Sequence, residues 1–250
     1  MAHVDVQRPD QTFEEPMLVD GLPGTGLIGK LVADHFVGTF DMEYYAGVHC
    51  EGVPPMAAYR TNESPVRPPT QLYADADRDL LALTSDIPIS ASGAPSFADC
   101  ITDWLADRGV TPIYLAGLDG AVDPDDDANS RELYGVSTGG GNALLDEAGI
   151  VPPRHAGVVT GPTGALLERA GEVGIDGVGL LVESDGSLPD LDAARVVVDR
   201  GIAQLVGVEI DTEPFVDRTV ELSPVAESVV ERIQEAGDAS SGAQPTPTFQ

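Results

Sequence analysis

The stretch from residue 16 to residue 36 constrains the fold more than any other part of the chain. The apolar run Met17–Val19 is typical of a buried strand, and the glycine-rich loop Gly21–Gly26 follows it. The next residues fall at the spacing of one helix face: Ile28, Leu31, Val32, His35 and Phe36. A strand, a glycine turn and a helix in this order predict the opening of an α/β domain.

The glycine turn allows two nucleotide-binding interpretations. Gly24–Gly29 spells G-x-G-x-x-G, and Glu51 near the end of the next strand would be the ribose-binding acid of a dinucleotide site. Gly24–Lys30 also spells G-x-x-x-x-G-K, but Leu31 follows where a P-loop needs Ser or Thr to hold Mg²⁺. Glycines also permit positive φ angles and let a helix start close to a sheet. We therefore favour a structural turn over phosphate binding.

A second unit of the same kind occurs later in the chain. A buried strand is predicted over Ala156–Thr160, and a helix over Ala165–Val173, with a glycine turn between them. The two turns either pack against the sheet or frame one ligand cleft. The residues that would line such a cleft are Gly24, Thr25, Gly26, Gly161, Thr163 and Gly164.

The charge balance excludes one class of partner. The chain has 13 basic and 42 acidic residues, a net charge of −29, and Lys30 is its only lysine. This charge repels the phosphate backbone, so nucleic-acid binding is not expected. It also destabilises the compact state unless salt screens it, and at molar salt the Debye length falls to about 3 Å. We therefore predict a halophilic protein.

Length and hydropathy predict a single domain of residues 1–236 that acts in the cytoplasm. A chain of 250 residues can bury one large core. No apolar run approaches the roughly 20 residues of a membrane span, and the polar N-terminus does not resemble a signal peptide. Two cysteines in so long a chain imply no disulfide framework. We expect reduced thiols, with Cys100 buried in an apolar helix.

Periodicity and capping signals predict the other elements. Short antiparallel strands are expected at Gln71–Ala74 and Leu80–Leu83, because the connection is too short for a crossover helix. Helix N-caps are expected at Ser96, Asp190 and Ser223. The remaining predicted elements are the strands Met42–Cys50, Thr111–Ala116, Tyr134–Thr138 and Val178–Glu183 and the helix Asn142–Ala148. Asp123, Asp125 and Asp127 begin like a calcium loop, but the required glycine and the final glutamate are absent, which indicates a solvated acidic loop.

No catalytic or metal-binding set can be assembled from the sequence. The chain lacks the G-x-S-x-G motif, and its four histidines do not have the spacing of metal ligands. His35 lies on the apolar stripe and is expected to pack. His49 and Cys50 are neighbours on a strand, so their side chains should point to opposite faces. We expect no catalytic residue, no metal and no cofactor.

An ordered set of segments resembles the proteasome assembly chaperone family in its archaeal and bacterial form. The similarity covers most of residues 16–215, and its order and spacing are more specific than any one piece. The segments are Gly21–Gly26 with Ile28-Gly29, Pro54-Pro55, Leu72-Tyr73, Leu80–Leu83 with Asp86 and Pro88, Asp103-Trp104, Tyr114–Gly117, Gly161–Gly164 and Leu180–Glu183.

The resemblance implies a three-layer α/β/α sandwich with a Rossmann-like, mostly parallel sheet, and it implies self-association. It also implies an ATP-independent, non-enzymatic chaperone that binds proteasome α-subunits while the 20S core assembles. The alternative is a small-molecule or nucleotide-binding α/β enzyme that uses the glycine turns at residues 21–29 and 161–164.

The C-terminal residues 237–250 are predicted to form a flexible tail because they are small, polar and proline-containing. Some archaeal members of the family that this chain resembles dock through a C-terminal tripeptide of a hydrophobic residue, tyrosine and any residue. Here the last three residues are Thr248, Phe249 and Gln250. An aromatic ring beside a terminal carboxylate suits a small pocket, so we predict that these residues bind the partner.

Overall fold

The computed structural model describes residues 2–59, 65–119, 122, 131–216 and 243–245. Its strands are β1 His3–Val6, β2 Met17–Gly21, β3 Glu43–His49, β4 Thr70–Asp75, β5 Leu80–Ser85, β6 Thr111–Asp119, β7 Leu133–Thr138, β8 Gly157–Val159, β9 Gly177–Ser184 and β10 Ala243–Pro245. Its α-helices are α1 Ile28–Thr39, α2 Ala94–Ala106, α3 Asn142–Glu147, α4 Gly161–Val173, α5 Leu191–Val197, α6 Ala203–Val206 and α7 Glu213–Val216. A π-helical turn, Val198–Ile202, joins α5 to α6.

The strands form one mixed sheet with a parallel centre. β2 lies between β5 and β6 and is parallel to both, and β9 is parallel to β6 on the other side of that strand. The flanks are antiparallel. On one side β4, β3 and β1 extend the sheet beyond β5, and on the other side β7 pairs with β9. The α/β prediction is confirmed, and the parallel pairing is concentrated in the four central strands.

Helices cover both faces of the sheet, so the three-layer arrangement is also confirmed. One buried cluster joins α1, α3 and α5 to the first face, and a second joins α2 and α4 to the opposite face. The alternation of side chains along a strand divides the central residues between the clusters. Val19 and Leu80 belong to the first cluster, whereas Leu18 and Leu81 belong to the second.

Most of the predicted elements are present with shifted ends, two of these predictions are wrong, and strand β1 was not predicted. Helix α2 begins at Ala94 after an N-cap at Gly93, so Ser96 is an interior residue rather than the cap. Strand β8 is only three residues long and largely exposed, where a buried strand was predicted. Strand β1 was missed, since its polar sequence pairs along only one edge, with β3.

The oxidation state of the two cysteines differs from the prediction. Cys50 and Cys100 form a disulfide with a Cα–Cα distance of 5.9 Å, so the prediction of two reduced thiols is wrong. Cys50 follows β3, and Cys100 lies on α2, which packs on the same face of the sheet. The two residues are 50 positions apart in sequence, and only the packing of the helix brings them together.

Some of the predictions fall on residues that the structure does not describe. They are the acidic loop at 123–127, the helix capped by Ser223 and the terminal residues Thr248, Phe249 and Gln250. Among the helices that are described, none has both the length and the apolar character needed to cross a membrane.

Candidate functional site

The two glycine turns meet at the carboxyl ends of the central strands, where ligands bind in many open α/β sheets. Asp20 near the end of β2 joins them. Its Oδ2 accepts a hydrogen bond of 2.9 Å from the hydroxyl of Thr163 in the second turn. Its Oδ1 accepts a bond of 3.0 Å from the backbone N–H of Leu22 in the first turn. The structure therefore brings together the two halves of the predicted cleft.

The carboxyl group of Asp20 has unusual electrostatics because it is buried. Loss of solvent raises its pKa to about 6, although the hydrogen bonds from Leu22 and Thr163 act in the opposite direction. The hydroxyl of nearby Tyr114 is also buried and has no hydrogen-bond partner among the described residues. Burial and the charge of Asp20 raise the pKa of Tyr114. Asp20 can hold a proton up to about pH 6, but its side chain is closed to a substrate.

Close packing accounts for the glycines of the first turn. A Cβ atom on Gly21 would lie 2.3 Å from Cβ of Ala33, and one on Gly29 would lie 2.7 Å from the carbonyl oxygen of Asp20. Gly26 has a φ angle of +66°, and a Cβ atom on it would lie 2.9 Å from Cβ of Asp190. Helix α1 therefore lies against β2 at a distance that only glycine allows, which supports the interpretation of a structural turn.

The second turn, residues 161–164, was predicted to precede a helix beginning at Ala165, but it is the first turn of α4 itself. Its glycines are closely packed as well. A Cβ atom on Gly164 would lie 2.2 Å from the carbonyl oxygen of Val159, so α4 starts directly against β8. Gly161 has a φ angle of +69°. Thr25 of the first turn lies over Gly117 of β6, and the carbonyl of Gly24 accepts the N–H of Leu27. The use of these residues by a ligand stays a prediction.

Lys30 has its charge balanced by the protein itself. The side chain is 3% exposed, and its Nζ lies 2.7 Å from both carboxylate oxygens of Asp34 and 3.9 Å from Asp86. In a P-loop the equivalent lysine must approach a phosphate. A phosphate at Lys30 would enter a site already occupied by carboxylates, which argues against the phosphate-binding interpretation.

A buried ionic network that the sequence did not reveal holds the first turn in place. The backbone N–H of Asp190 donates to the carbonyl of Gly26 at 2.9 Å. The carboxylate caps α5 at the N–H of Ala193, and it accepts bonds from the hydroxyl of Ser184 and the guanidinium of Arg131. The cap at Asp190 was predicted correctly. Arg131 carries no local signal, because it lies 59 positions from its partner.

The sheet order removes the candidate ribose acid. Glu51 is exposed in a turn after β3, and β4 and β5 lie between β3 and β2. In a dinucleotide-binding fold the acid follows the strand that adjoins the glycine turn. The G-x-G-x-x-G match therefore lacks its second element.

The histidines do not assemble a catalytic group. His35 is half-buried, bonds through Nε2 to the carbonyl of Asp211 at 2.7 Å and packs on Phe215. Burial lowers its pKa, which fits the packing role predicted for it. His49 stacks on His3, while its neighbour Cys50 is oxidised. The described part of the chain contains no group of His, Cys, Asp and Glu that could hold a metal ion.

Part of the predicted tail returns to the same edge of the sheet. β10 pairs in parallel with β6 at Leu118 and in antiparallel fashion with β8. Since β8 leads directly into the second glycine turn, β10 lies beside the predicted cleft. The partner-binding residues Thr248, Phe249 and Gln250 follow β10 and lie outside the described residues.

Comparisons with known proteins agree with this architecture. The fold resembles Pyrococcus furiosus PbaA, described as an archaeal homolog of proteasome-assembly chaperone, with a TM-score of 0.74, 24% identity and coverage of 94% of this chain and 97% of that one. It also resembles Pyrococcus furiosus PbaB, described as an archaeal proteasome activator, with a TM-score of 0.70, 23% identity and coverage of 94% and 98%. The uncharacterized protein MJ0106 of Methanocaldococcus jannaschii is 27% identical over 186 residues, which are 74% of this chain and 73% of that protein.

The family is shown by a match over most of the chain. The model of the PAC2 family matches residues 18–235, which include both glycine turns and the whole parallel centre of the sheet. The resemblance to proteasome assembly chaperones is thereby confirmed at the level of the family. The chain belongs to the PAC2 family.

Proposed function

We propose that this protein is an ATP-independent chaperone that binds proteasome α-subunits while the 20S core assembles. The observation that carries the proposal is the family match over residues 18–235. Proteasome assembly chaperones of this family are non-enzymatic binding proteins. Such a protein acts through binding energy alone, by covering a subunit surface until the next subunit replaces it.

The site geometry supports binding over catalysis. At the carboxyl edge of the sheet, Asp20, Lys30 and Asp190 bond to groups of the protein itself. A nucleotide would have to displace these contacts and overcome the negative charge of Asp34 and Asp86 beside Lys30.

An apolar surface on the connection between β3 and β4 supports a protein partner. Met56, Tyr59 and Val66 are 47%, 81% and 64% exposed. Two backbone hydrogen bonds between Ala58 and Arg67 hold the two sides of this connection together. Aromatic and methionine side chains are enriched in protein interfaces, so we place the apolar part of the α-subunit contact here.

The tail supplies a second contact in this proposal. Thr248, Phe249 and Gln250 enter a pocket of the α-subunit, with the aromatic ring as the anchor and the terminal carboxylate as the charge. Five residues follow Pro245 and span roughly 16 Å at a polyproline-like rise. While β10 is paired, the pocket must therefore lie close to the β6–β8 edge.

We also propose where the protein acts, in what oligomeric state and at what salt concentration. It acts in the cytoplasm as a homo-oligomer, and its charge of −29 requires a salt-rich medium to screen repulsion between copies. The midpoint of urea unfolding should rise between low and molar KCl. A midpoint that does not rise would remove the halophilic part of the proposal.

Co-purification with proteasome α-subunits in molar KCl tests the main proposal. We expect the full chain to be retained on immobilised α-subunits. Deletion of residues 248–250 should lower the affinity, and the variant Tyr59→Ser should also lower it. Thr246→Ala is the matched control and should bind like the parent protein. No retention of the folded chain would overturn the proposal, whereas unchanged affinity of the deletion would remove only the tail.

A thermal shift measurement separates this function from the enzymatic alternative. The unfolding temperature of the chain in molar KCl should not change with ATP or NAD. A saturable rise with either nucleotide that Gly26→Val abolishes would favour a ligand site at the glycine turns.

A further inference from the structure

A cavity of about 310 Å³ lies at the end of the sheet opposite the glycine turns. Pro16, which precedes β2, and Val110, which precedes β6, border it where the parallel strands begin. The segment before β2 crosses one side of the cavity, and the C-terminal end of α2 closes the other side with Trp104 and Arg108. The cavity is therefore separate from the carboxyl edge, where the two glycine turns predicted a ligand cleft.

The lining of the cavity has a charge opposite to that of the protein. None of its ten lining residues is Asp or Glu, although the chain contains 42 acidic residues. The charged residue among the ten is Arg108, whose guanidinium lies 4.7 Å from the centre of the Trp104 ring. A cationic group at an acid-free cavity favours a ligand with a carboxylate, because a guanidinium matches carboxylate geometry.

Two buried polar atoms at the cavity lack partners. Trp104 is 7% exposed, and its indole Nε1–H has no acceptor among the described residues. The side-chain oxygen of Gln11 is in the same condition. Buried polar groups in folded proteins are normally hydrogen-bonded, so these two side chains of the cavity wall are not fully satisfied by the described part of the protein.

The remaining walls are apolar and partly aromatic. The ring of Tyr45 meets that of Phe13 edge-on at 5.7 Å and that of Trp104 at 6.4 Å. Aliphatic side chains complete the walls: Val6, Leu81 and Val110. A cavity of this size with apolar walls and a few polar groups is typical of a site for a small organic molecule.

We propose that this cavity binds a small monocarboxylic acid with an aromatic or compact aliphatic body. The carboxylate lies at the mouth, where it accepts hydrogen bonds from the guanidinium of Arg108. The apolar body packs against the rings of Phe13 and Tyr45, which contact each other in the cavity wall. This inference is independent of the proposed function, since no residue of the glycine turns or of the tail takes part.

Intrinsic fluorescence reports this binding directly, because Trp104 is the only tryptophan of the chain. The full chain in molar KCl is titrated with 3-phenylpropionate and, in parallel, with the neutral 3-phenylpropionamide. We expect a saturable fluorescence change with the acid and at least tenfold weaker binding of the amide. Absence of a saturable change, or equal binding of acid and amide, would overturn the proposal.

Variants identify the groups that bind. Arg108→Gln should weaken binding of the acid at least tenfold and leave binding of the amide unchanged, and Arg108→Lys should restore part of the affinity. Arg78→Gln is the matched control, because Arg78 stacks in the same way on Phe40 on the other face of the sheet. It should bind like the parent chain, and equal losses in Arg78→Gln and Arg108→Gln would refute the assignment.

A second measurement guards against loss of fold. The thermal midpoint of each variant is recorded, and the acid should raise that of the parent chain but not that of Arg108→Gln.

Discussion

The two ends of the central parallel strands use the same sheet in opposite ways. At the carboxyl end, two glycine turns resemble ligand-binding loops. Thr163 bonds to Asp20, however, and the backbone of Asp190 bonds to Gly26, so the protein's own groups occupy this edge. At the amino end the sequence shows no ligand-binding motif, yet the structure leaves a cavity there. Two of its lining residues, Gln11 and Trp104, carry buried polar atoms without partners among the described residues. In this protein the glycine motifs therefore mark close packing of the backbone rather than an open binding site. Whether an edge of the sheet is open depends on which of its side chains are bonded to other groups of the protein.

This comparison predicts large losses of stability for changes at the filled end. Asp190→Ala removes the cap of α5 and leaves Nη1 of the buried guanidinium of Arg131 without its carboxylate partner, while Asp185 still bonds to Nη2. We expect a loss of about 3–5 kcal/mol in the free energy of unfolding, measured by urea in molar KCl. Asp192→Ala is the control: its carboxylate is 31% exposed and 3.9 Å from Arg131, so the loss should be below about 1 kcal/mol. Equal losses in the two variants would show that the network does not hold the turn.

The disulfide provides the next largest effect. Reduction of Cys50–Cys100 frees a connection of 50 residues in the unfolded chain. We expect dithiothreitol to lower the free energy of unfolding by about 2–4 kcal/mol. The double variant Cys50→Ser with Cys100→Ser should unfold identically with and without reductant. An unfolding midpoint of the parent chain that ignores the reductant would exclude the bond.

Steric contact at the second turn gives the third prediction. In Gly164→Ala the new methyl group meets the carbonyl oxygen of Val159, so α4 must move away from β8. The cost should be roughly 3 kcal/mol. Gly38→Ala in α1 is the matched control, since a Cβ there meets no atom within 4 Å, and it should stabilise the chain by up to about 1 kcal/mol. A Gly164→Ala variant as stable as Gly38→Ala would show that the turn is not tightly packed.

The proton on Asp20 gives a pH-dependent prediction. Because its pKa is raised from 3.8 to about 6 in the folded state, the folded chain binds the proton more tightly than the unfolded chain. Stability from this group is present below about pH 4, falls as the pH rises from about 4 to 6, and then stays constant. The loss should be about 3 kcal/mol, because a shift of one pKa unit corresponds to about 1.4 kcal/mol.

Asp20→Asn cannot lose that proton, so its stability relative to the parent should increase across the same window. Urea unfolding at pH 4, 5, 6 and 7 measures the difference, and Asp146→Asn on the exposed side of α3 is the control. A difference between Asp20→Asn and the parent that is independent of pH would mean that Asp20 is charged at every pH tested.

The smallest effect is expected at the open end. Gln11→Leu removes a buried oxygen that has no hydrogen-bond partner within the described residues. Replacing such an oxygen costs little, so the free energy of unfolding should change by less than about 0.5 kcal/mol. A loss as large as that of Gly164→Ala would mean that Gln11 has a structural bond, and the contrast between the two ends would fail.

The sequence was informative wherever the signal is local. The apolar run at Met17–Val19 and the helical stripe after Gly26 predicted β2 and α1, and the capping pattern at Asp190 predicted the start of α5. The stripe positions are buried because a helix that covers a sheet has one face in the core. The packing role of His35 follows from the same spacing.

Contacts between distant segments were not predictable in this way. Nothing near Arg131 indicates a partner at Asp190, and nothing near Cys50 indicates a bond to Cys100. The G-x-G-x-x-G reading depended on Glu51 lying next to the turn, and the insertion of β4 and β5 between β3 and β2 prevents this. Strand order is set by the packing of the whole sheet rather than by any one segment.

The amino-acid sequence by itself determined the α/β class, the strongly negative net charge and the family, because periodicity, composition and ordered motifs are properties of the chain. The tertiary structure alone decided that the glycine turns are filled, that the cysteines are bonded and that a cavity lies at Trp104. Each of these depends on which side chains meet across long sequence separations, and folding brings them together only when the layers pack.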